Sequence, residues 1–297
     1  MEKKNVLITG ATSGIGYEFA KLFAKKKYNL ILIARNRENL KKTAIEMKEI
    51  AKDKNADIEV TEIAIDLFER DSAREIYEIT RERRIRVDVL VNNAGQGEWG
   101  KFMATDLERD ISLVELNINS VLSLTKFYLE DMLKEGKGKI LFVASSVSKA
   151  PSPYMAVYAA TKAFILSFAE ALTREIKNTN ITITALQPDA TDTDFFHKAK
   201  AENSVIYKEK KLASPEEVAR QGFKALKKGK KVVRPGFQNK FKNVLNSVMT
   251  DDAVASNMEK QMQLSEKTQG REKPVHMASL RERETINSFR RNYNGDY

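Results

Sequence analysis

Seven short apolar runs punctuate the chain: Asn5–Thr9, Asn29–Ala34, Ile58–Ile65, Val87–Val91, Lys139–Ala144, Ile181–Gln187 and Lys231–Arg234. Several are rich in Val and Ile and nearly continuous in apolar character. That suits strands of a parallel sheet covered on both faces. Longer amphipathic segments lie between them, with Arg37–Lys52, Asp106–Lys134 and Ala156–Lys177 the clearest helices. Ser214-Pro215-Glu216-Glu217 predicts a helix start, with Ser as cap and Pro at the first position, and Gly229 predicts its end. The βα alternation predicts an α/β fold with a doubly wound, Rossmann-like parallel sheet and helices on both faces.

The pattern changes after residue 236. Asn239–Met249 predicts one more helix, polar residues dominate after Asp251, and Arg281–Arg291 has the period of a short amphipathic helix. Residues 1–236 are therefore read as one catalytic-sized domain. Residues 237–297 are read as a helix and polar tail, either solvated or a subunit or partner contact.

Composition narrows the function. The chain has no Cys, which excludes disulfides, Cys-ligated metals and cysteine nucleophiles. Its two histidines, His197 and His276, are far apart in sequence, which disfavours a His metal site or a Ser/His/Asp triad. The first apolar run is too short for a signal peptide, and no stretch approaches the ~18 apolar residues of a membrane span. A cytoplasmic protein with no membrane partner is expected. The formal net charge of +10 would attract a phosphorylated cofactor or a nucleic acid. No zinc module, helix-turn-helix or aromatic-basic motif supports the second, so no nucleic-acid partner is expected.

The chemistry begins at Thr9-Gly10-Ala11-Thr12-Ser13-Gly14-Ile15-Gly16, between the first strand and the first helix. Glycines there let the backbone turn tightly and approach a pyrophosphate. The free N–H groups and positive dipole end of the helix favour the same anion. This octet resembles the cofactor signature of the short-chain dehydrogenase/reductase family, and Asn92-Asn93-Ala94-Gly95 after the fourth strand resembles a second motif of that family. The resemblance runs from about residue 4 to residue 236. It implies cofactor contacts from Gly10, Ser13, Gly14, Ile15, Gly16, Asn93, Ala94 and Gly95, and an adenine contact from Asp66.

The end of strand two bears on the cofactor. In dinucleotide folds an acidic residue there holds the ribose hydroxyls, and a basic one accommodates a 2′-phosphate. Here Ala34 takes the acidic position and Arg35 follows, so NADP(H) is expected rather than NAD(H). The bland alternative is a solvated loop arginine.

Carbonyl reduction needs a proton donor and a group that stabilises the developing oxyanion. A tyrosine can donate if a cation lowers its pKa from ~10, and residues four apart share a helix face. Tyr-x-x-x-Lys occurs at Tyr17/Lys21, Tyr158/Lys162 and Tyr207/Lys211. Tyr17 reads as packing beside the glycine turn, and Tyr207 lies in a charged stretch. Tyr158 opens a small-residue helix after strand five. Ser145, thirteen residues before it, matches the family's catalytic serine, with Ser146 as the competing neighbour. By resemblance, Asn117 rather than Asn119 holds a water that links Lys162 to solvent, and Lys162 binds the nicotinamide ribose. Pro188, Thr191 and Thr193 belong to a segment that resembles the family's nicotinamide-contacting motif, in which Asp189 replaces the usual glycine. Enoyl reductases of the superfamily place the tyrosine seven residues before the lysine. That position is Met155 here, which argues against double-bond reduction.

The expectation is an NADP-dependent oxidoreductase that interconverts a ketone or aldehyde with an alcohol, with Tyr158 as acid/base. The alternative is a noncatalytic NADP-binding sensor or scaffold. A small-molecule partner and a homodimer or homotetramer are implied by the resemblance. Phe195–Leu212 is expected to cover the site.

Overall fold

The computed structural model describes residues 3–235 and 251–265. Its seven strands are β1 (Asn5–Thr9), β2 (Asn29–Ala34), β3 (Val60–Ala64), β4 (Val89–Asn92), β5 (Gly138–Val143), β6 (Ile181–Leu186) and β7 (Val232–Val233). They form one sheet in the order β3-β2-β1-β4-β5-β6-β7, every pair parallel. The fold is Rossmann-like. Strand order reverses between β1 and β4, and the crevice at such a switch point is where these sheets bind ligands.

Side chains alternate along each strand between two cores. Leu7, Ile31, Ile33, Leu90 and Phe142 face one side; Val6, Ile8, Leu30, Leu32 and Leu141 face the other. The first core is closed by α3 (Ser72–Glu82), α5 (Ser120–Lys134) and α6 (Ala156–Glu175). The second is closed by α1 (Gly14–Lys25), α2 (Arg37–Lys52) and α9 (Pro215–Lys227). Fully burying one such side chain contributes about 1.5–3 kcal/mol, so burial on both faces explains the continuous Val/Ile/Leu runs.

The expected caps form. Ser214 Oγ accepts from Glu217 N at 3.4 Å, and Gly229 follows α9 with φ +63°. The period over 106–134 predicts one helix. It is instead α4 (Leu107–Val114), a π-helical turn over Glu115–Asn119, and α5. The run expected over 231–234 contributes only two residues to the ladder. Two short helices follow β6: α7 (Phe195–Lys198) and α8 (Val205–Glu209). Residues 251–262, which composition places in a polar tail, form a helix, here α10 (Asp251–Met262). Val254 and Met262 on it are buried. The helices expected at 239–249 and 281–291 lie outside the described residues.

Among the described residues one helix, α6, is long and apolar enough to cross a membrane by length and composition. Its inner face carries Ile165, Leu166 and Ala169 into the core, and it also bears the buried Lys162.

Candidate active site

A cavity of about 1220 Å³ opens along the carboxyl ends of the strands. It receives Gly10, Ser13, Gly14 and Ile15 from the turn after β1, and Arg35 and Asp66 from the ends of β2 and β3. Asn93, Ala94 and Gly95 follow β4, Ser145 follows β5, Tyr158 and Lys162 come from α6, and Pro188, Thr191 and Thr193 follow β6. Fifteen expected positions thus share one wall. Gly16 and Asn117 are not on it and sit one layer behind.

The turn after β1 is built for close approach. Gly10 and Gly14 have φ of +65° and +55°, a region that costs other residues about 1–2 kcal/mol. A Cβ on Gly16 would lie 2.2 Å from the Gly10 carbonyl oxygen and 2.3 Å from Asn93 Nδ2. Asn93 Nδ2 already donates to Thr9 O at 2.8 Å and Gly10 O at 3.2 Å. The Asn93 side chain therefore fastens the loop after β4 to the glycine turn. Ser13 caps α1 without a side-chain hydrogen bond, so the helix end keeps its N–H donors for a ligand. These features fit a dinucleotide's pyrophosphate.

At the end of β2 no carboxylate occupies Ala34. Arg35, with its side chain 64% exposed, pairs with Asp66 at 3.3 Å. A pair this exposed contributes little to stability. It holds the guanidinium over the cavity with further N–H groups available to an anion.

The catalytic candidates meet between β5 and α6. Lys162 is 5% exposed, and its Nζ donates to Val143 O at 2.8 Å. The Nζ lies 5.8 Å from the Tyr158 ring centre. Burial lowers the Lys162 pKa from 10.5 to about 8. Burial also pushes Tyr158 up to about 12, partly opposed by its hydrogen bond with Ser145. Desolvation thus outweighs the Ser145 hydrogen bond at the phenol.

The two serines part company. Ser145 is buried, and besides its hydrogen bond with Tyr158 its Oγ accepts a long one from Val147 N at 3.4 Å. Ser146 Oγ is exposed and donates to Asp189 Oδ1 at 3.1 Å. Ser146 therefore supports the loop that carries the substituted glycine. Asp189 is absent from the residues with positive φ, so its backbone does not need a glycine's freedom.

Asn117 is fully buried in the π-helical turn. Its Nδ2 donates to Gln96 O at 2.9 Å and Thr161 Oγ1 at 3.0 Å, and its Oδ1 accepts from Gln96 N at 3.1 Å. The side chain ties the loop after β4 to α6; both Nδ2 hydrogens are used, while Oδ1 can accept one further hydrogen bond. Asn119 lies apart, donating to Glu115. The other Tyr/Lys pairs are occupied elsewhere. The Tyr17 hydroxyl donates to Glu46, and the Tyr207 hydroxyl meets His197 Nε2 at 3.2 Å.

Several lining residues escaped the sequence reading. Thr12, Asn36 and Asn39 line the nucleotide side; Val254, Met258 and Met262 line the opposite side. The last three were detectable as an i, i+4, i+8 apolar series.

The sequence profile of the short chain dehydrogenase family matches residues 4–204. The chain is 31% identical over 194 residues to the uncharacterized oxidoreductase YvaG of Bacillus subtilis, a match covering 65% of this chain and 70% of that protein. It is 35% identical over 181 residues to a very-long-chain 3-oxoacyl-CoA reductase of Coprinopsis cinerea, covering 60% of this chain and only about half, 51%, of that relative. Among solved structures it is similar to a short-chain dehydrogenase from Sphingobium yanoikuyae in complex with NADPH. There the TM-score is 0.73 at 26% identity, over 83% of this chain and 96% of the other. An alcohol dehydrogenase from the archaeon Thermococcus sibiricus, complexed with 5-hydroxy-NADP, gives a TM-score of 0.65 at 28% identity over 79% and 94%. Sheet order, glycine turn and family profile agree, and the chain belongs to the short-chain dehydrogenase/reductase family of oxidoreductases, which use a nicotinamide dinucleotide.

Proposed function

We propose that the protein is an NADP-dependent oxidoreductase that interconverts a ketone or aldehyde with an alcohol, with Tyr158 as the acid/base. The observation that carries this reading is the convergence of Ser145, Tyr158 and Lys162 on the cavity that also holds the glycine turn. NADP is favoured over NAD by Arg35 beside the uncharged Ala34, and NADPH or an NADP analogue is bound in the two similar solved structures.

The bound dinucleotide supplies or removes a hydride. The chain supplies the rest. Gly10, Ser13, Gly14 and Ile15 present backbone N–H groups to the pyrophosphate, with Gly16 keeping the turn tight. Arg35 takes the 2′-phosphate, Asp66 the adenine, and Asn93, Ala94 and Gly95 line the adenosine side. Pro188, Thr191 and Thr193 flank the nicotinamide. Ser145 Oγ donates to the substrate oxygen and orients it. Tyr158 holds the proton on its Oη and passes it to that oxygen during reduction, taking it back during oxidation. Lys162 holds the ribose, and its charge lowers the work of forming the phenolate. Asn117 holds a water that links Lys162 to solvent for proton resupply. The partner is a small carbonyl or alcohol compound. The apolar outer face of α6 around Phe164 and Phe168 favours a homodimer or homotetramer.

Fluorescence titration with NADPH and NADH tests the reading. Wild type should prefer NADPH. Arg35→Ala should lose about tenfold or more of that affinity, the worth of a charge-assisted hydrogen bond, while NADH binding changes little. Tyr158→Phe should bind NADPH normally and lose carbonyl reduction by at least a hundredfold. Failure of folded wild type to bind either nucleotide defeats the proposal.

A further inference from the structure

We infer that α10 is the outer wall of the substrate site and that the substrate carbonyl bears an extended apolar chain. The word carbonyl rests on the function proposed above; the wall and the apolar chain rest on the cavity itself. Val254, Met258 and Met262 fall on one face of α10, and all three line the cavity. Across it stand Phe195 and Phe196 of α7 and Ile206 of α8. Met262, Phe196 and Ile206 are 4%, 4% and 7% exposed and form one apolar cluster with Met155. Two polar residues of α10 also line the cavity, the exposed Asn257 and the half-buried Gln261, and Gln261 Nε2 donates to Asn257 Oδ1 at 3.2 Å; Asp252, Glu259 and Lys260 are exposed and do not line it. The charged lining residues beside α7 and α8, Asp194, Lys198 and Lys210, are exposed as well.

The wall is fastened at its carboxyl end, where a helix leaves carbonyls without intrahelical partners. Trp99 Nε1 donates to Met262 O at 2.7 Å, and Val205 N donates to Gln263 O at 3.0 Å. One bond comes from the loop after β4 and the other from the start of α8, so α10 is tied to both neighbours of the cavity. Methionines make an adaptable apolar surface, suited to a flexible chain rather than one rigid shape. The family profile ends at residue 204, so this wall is not part of the matched region.

The sole tryptophan, Trp99, holds α10 and so reports on it. The test is a titration of the full chain with 2-alkanones from butanone to decanone, read by Trp99 emission, with NADPH oxidation followed in parallel. Each methylene buried against the wall should raise affinity about threefold to fourfold. Met258→Glu and Met258→Ala should reduce that gain per methylene by half or more, with Met258→Glu the stronger. Glu259→Gln, on the exposed face, should keep it. Where Met258→Glu displaces α10, seen as red-shifted Trp99 emission in the free protein, the decision passes to Met258→Ala. Affinity independent of chain length overturns the inference, as does a gain unchanged in both Met258 variants. Chain-length-dependent binding without NADPH oxidation instead overturns the carbonyl-reductase reading and leaves the wall standing. Ketone turnover with flat affinities does the reverse.

Discussion

Lys162 lets the cost of the site be measured. Its ammonium is 5% exposed and holds one hydrogen bond, to Val143 O at 2.8 Å. Burial lowers its pKa from 10.5 to about 8. A depressed lysine pKa means that the folded state binds fewer protons than the unfolded state between those two values. Stability therefore rises with pH through that window and is lost again as pH falls through about 8. A shift of this size corresponds to about 3 kcal/mol of burden on the fold at pH 7. Integrating the two titrations returns about 2 kcal/mol of it between pH 7 and pH 9.5. Lys162→Met keeps the volume and removes the charge. It also leaves Val143 O short of a donor, which costs about 1 kcal/mol. The variant should be more stable than wild type at pH 7 by about 2 kcal/mol, and this advantage should vanish near pH 9.5. Reversible urea unfolding of the unliganded protein at the two pH values, followed by circular dichroism, reads the difference directly. Other titrating groups cancel in the comparison. An advantage that does not change with pH, or a variant less stable at pH 7, would refute the reasoning. Tyr158, pushed up to about 12, acts in the opposite sense, lowering stability only as pH rises above about 10, so it does not enter the window.

Three further outcomes follow from particular contacts. Gly16→Ala places a methyl 2.2 Å from Gly10 O and 2.3 Å from Asn93 Nδ2, where backbone cannot yield; NADPH binding should fall at least a hundredfold and the thermal midpoint should drop by several degrees. Glu98 is 8% exposed and pairs with Arg109 at 3.3 Å and Lys200 at 2.7 Å; Glu98→Ala should destabilise by about 2–3 kcal/mol in urea unfolding, a loss that doubling Arg109→Ala onto it should not increase by the full single-mutant amount. Asp189→Gly removes the acceptor of Ser146 Oγ at 3.1 Å and Ala190 N at 3.0 Å; because the native φ needs no glycine, the variant should lose about 1 kcal/mol.

The nucleotide half of the site was legible because its contacts are local. The glycine turn is one octet, and its geometry follows from residue types within that octet. The strands were legible because burial on both faces demands unbroken apolar runs. Other features depend on pairings that no local pattern encodes. The π-helical turn at Glu115–Asn119 adds a residue to a helix whose two flanks both remain apolar, so the period over 106–134 reads as continuous. Ser145 and Ser146 are chemically identical in sequence and are separated only by Asp189, 43 residues beyond Ser146. The Arg35–Asp66 pair joins the ends of two strands across the sheet. α10 carries only Val254, Met258 and Met262 as large apolar residues among polar ones. Its burial depends on Trp99, 163 residues away from Met262.

The substrate half shows a reason for its irregular backbone. Two non-glycine residues near the cavity have left-handed φ, Tyr154 at +65° and Lys200 at +58°. Such residues cost about 1–2 kcal/mol each and persist where surroundings over-determine them. Both are held by one short strut. Gly100 N donates to Tyr154 O at 2.9 Å, and Trp99 N donates to Ala199 O, beside Lys200, at 2.9 Å. Trp99 also stacks on Tyr154 at 5.9 Å, and Glu98 takes Lys200 Nζ. The strut Glu98-Trp99-Gly100 thus fixes the entry to α6, the exit from α7 and, through Met262, the end of α10. Loosening it would move the substrate wall while leaving the glycine turn intact. Trp99→Phe keeps the stacking and deletes only the bond to Met262 O. It should therefore weaken binding of long-chain ketones severalfold while NADPH affinity stays within twofold. An equal loss of both would mean that the strut supports the whole crevice rather than its substrate side.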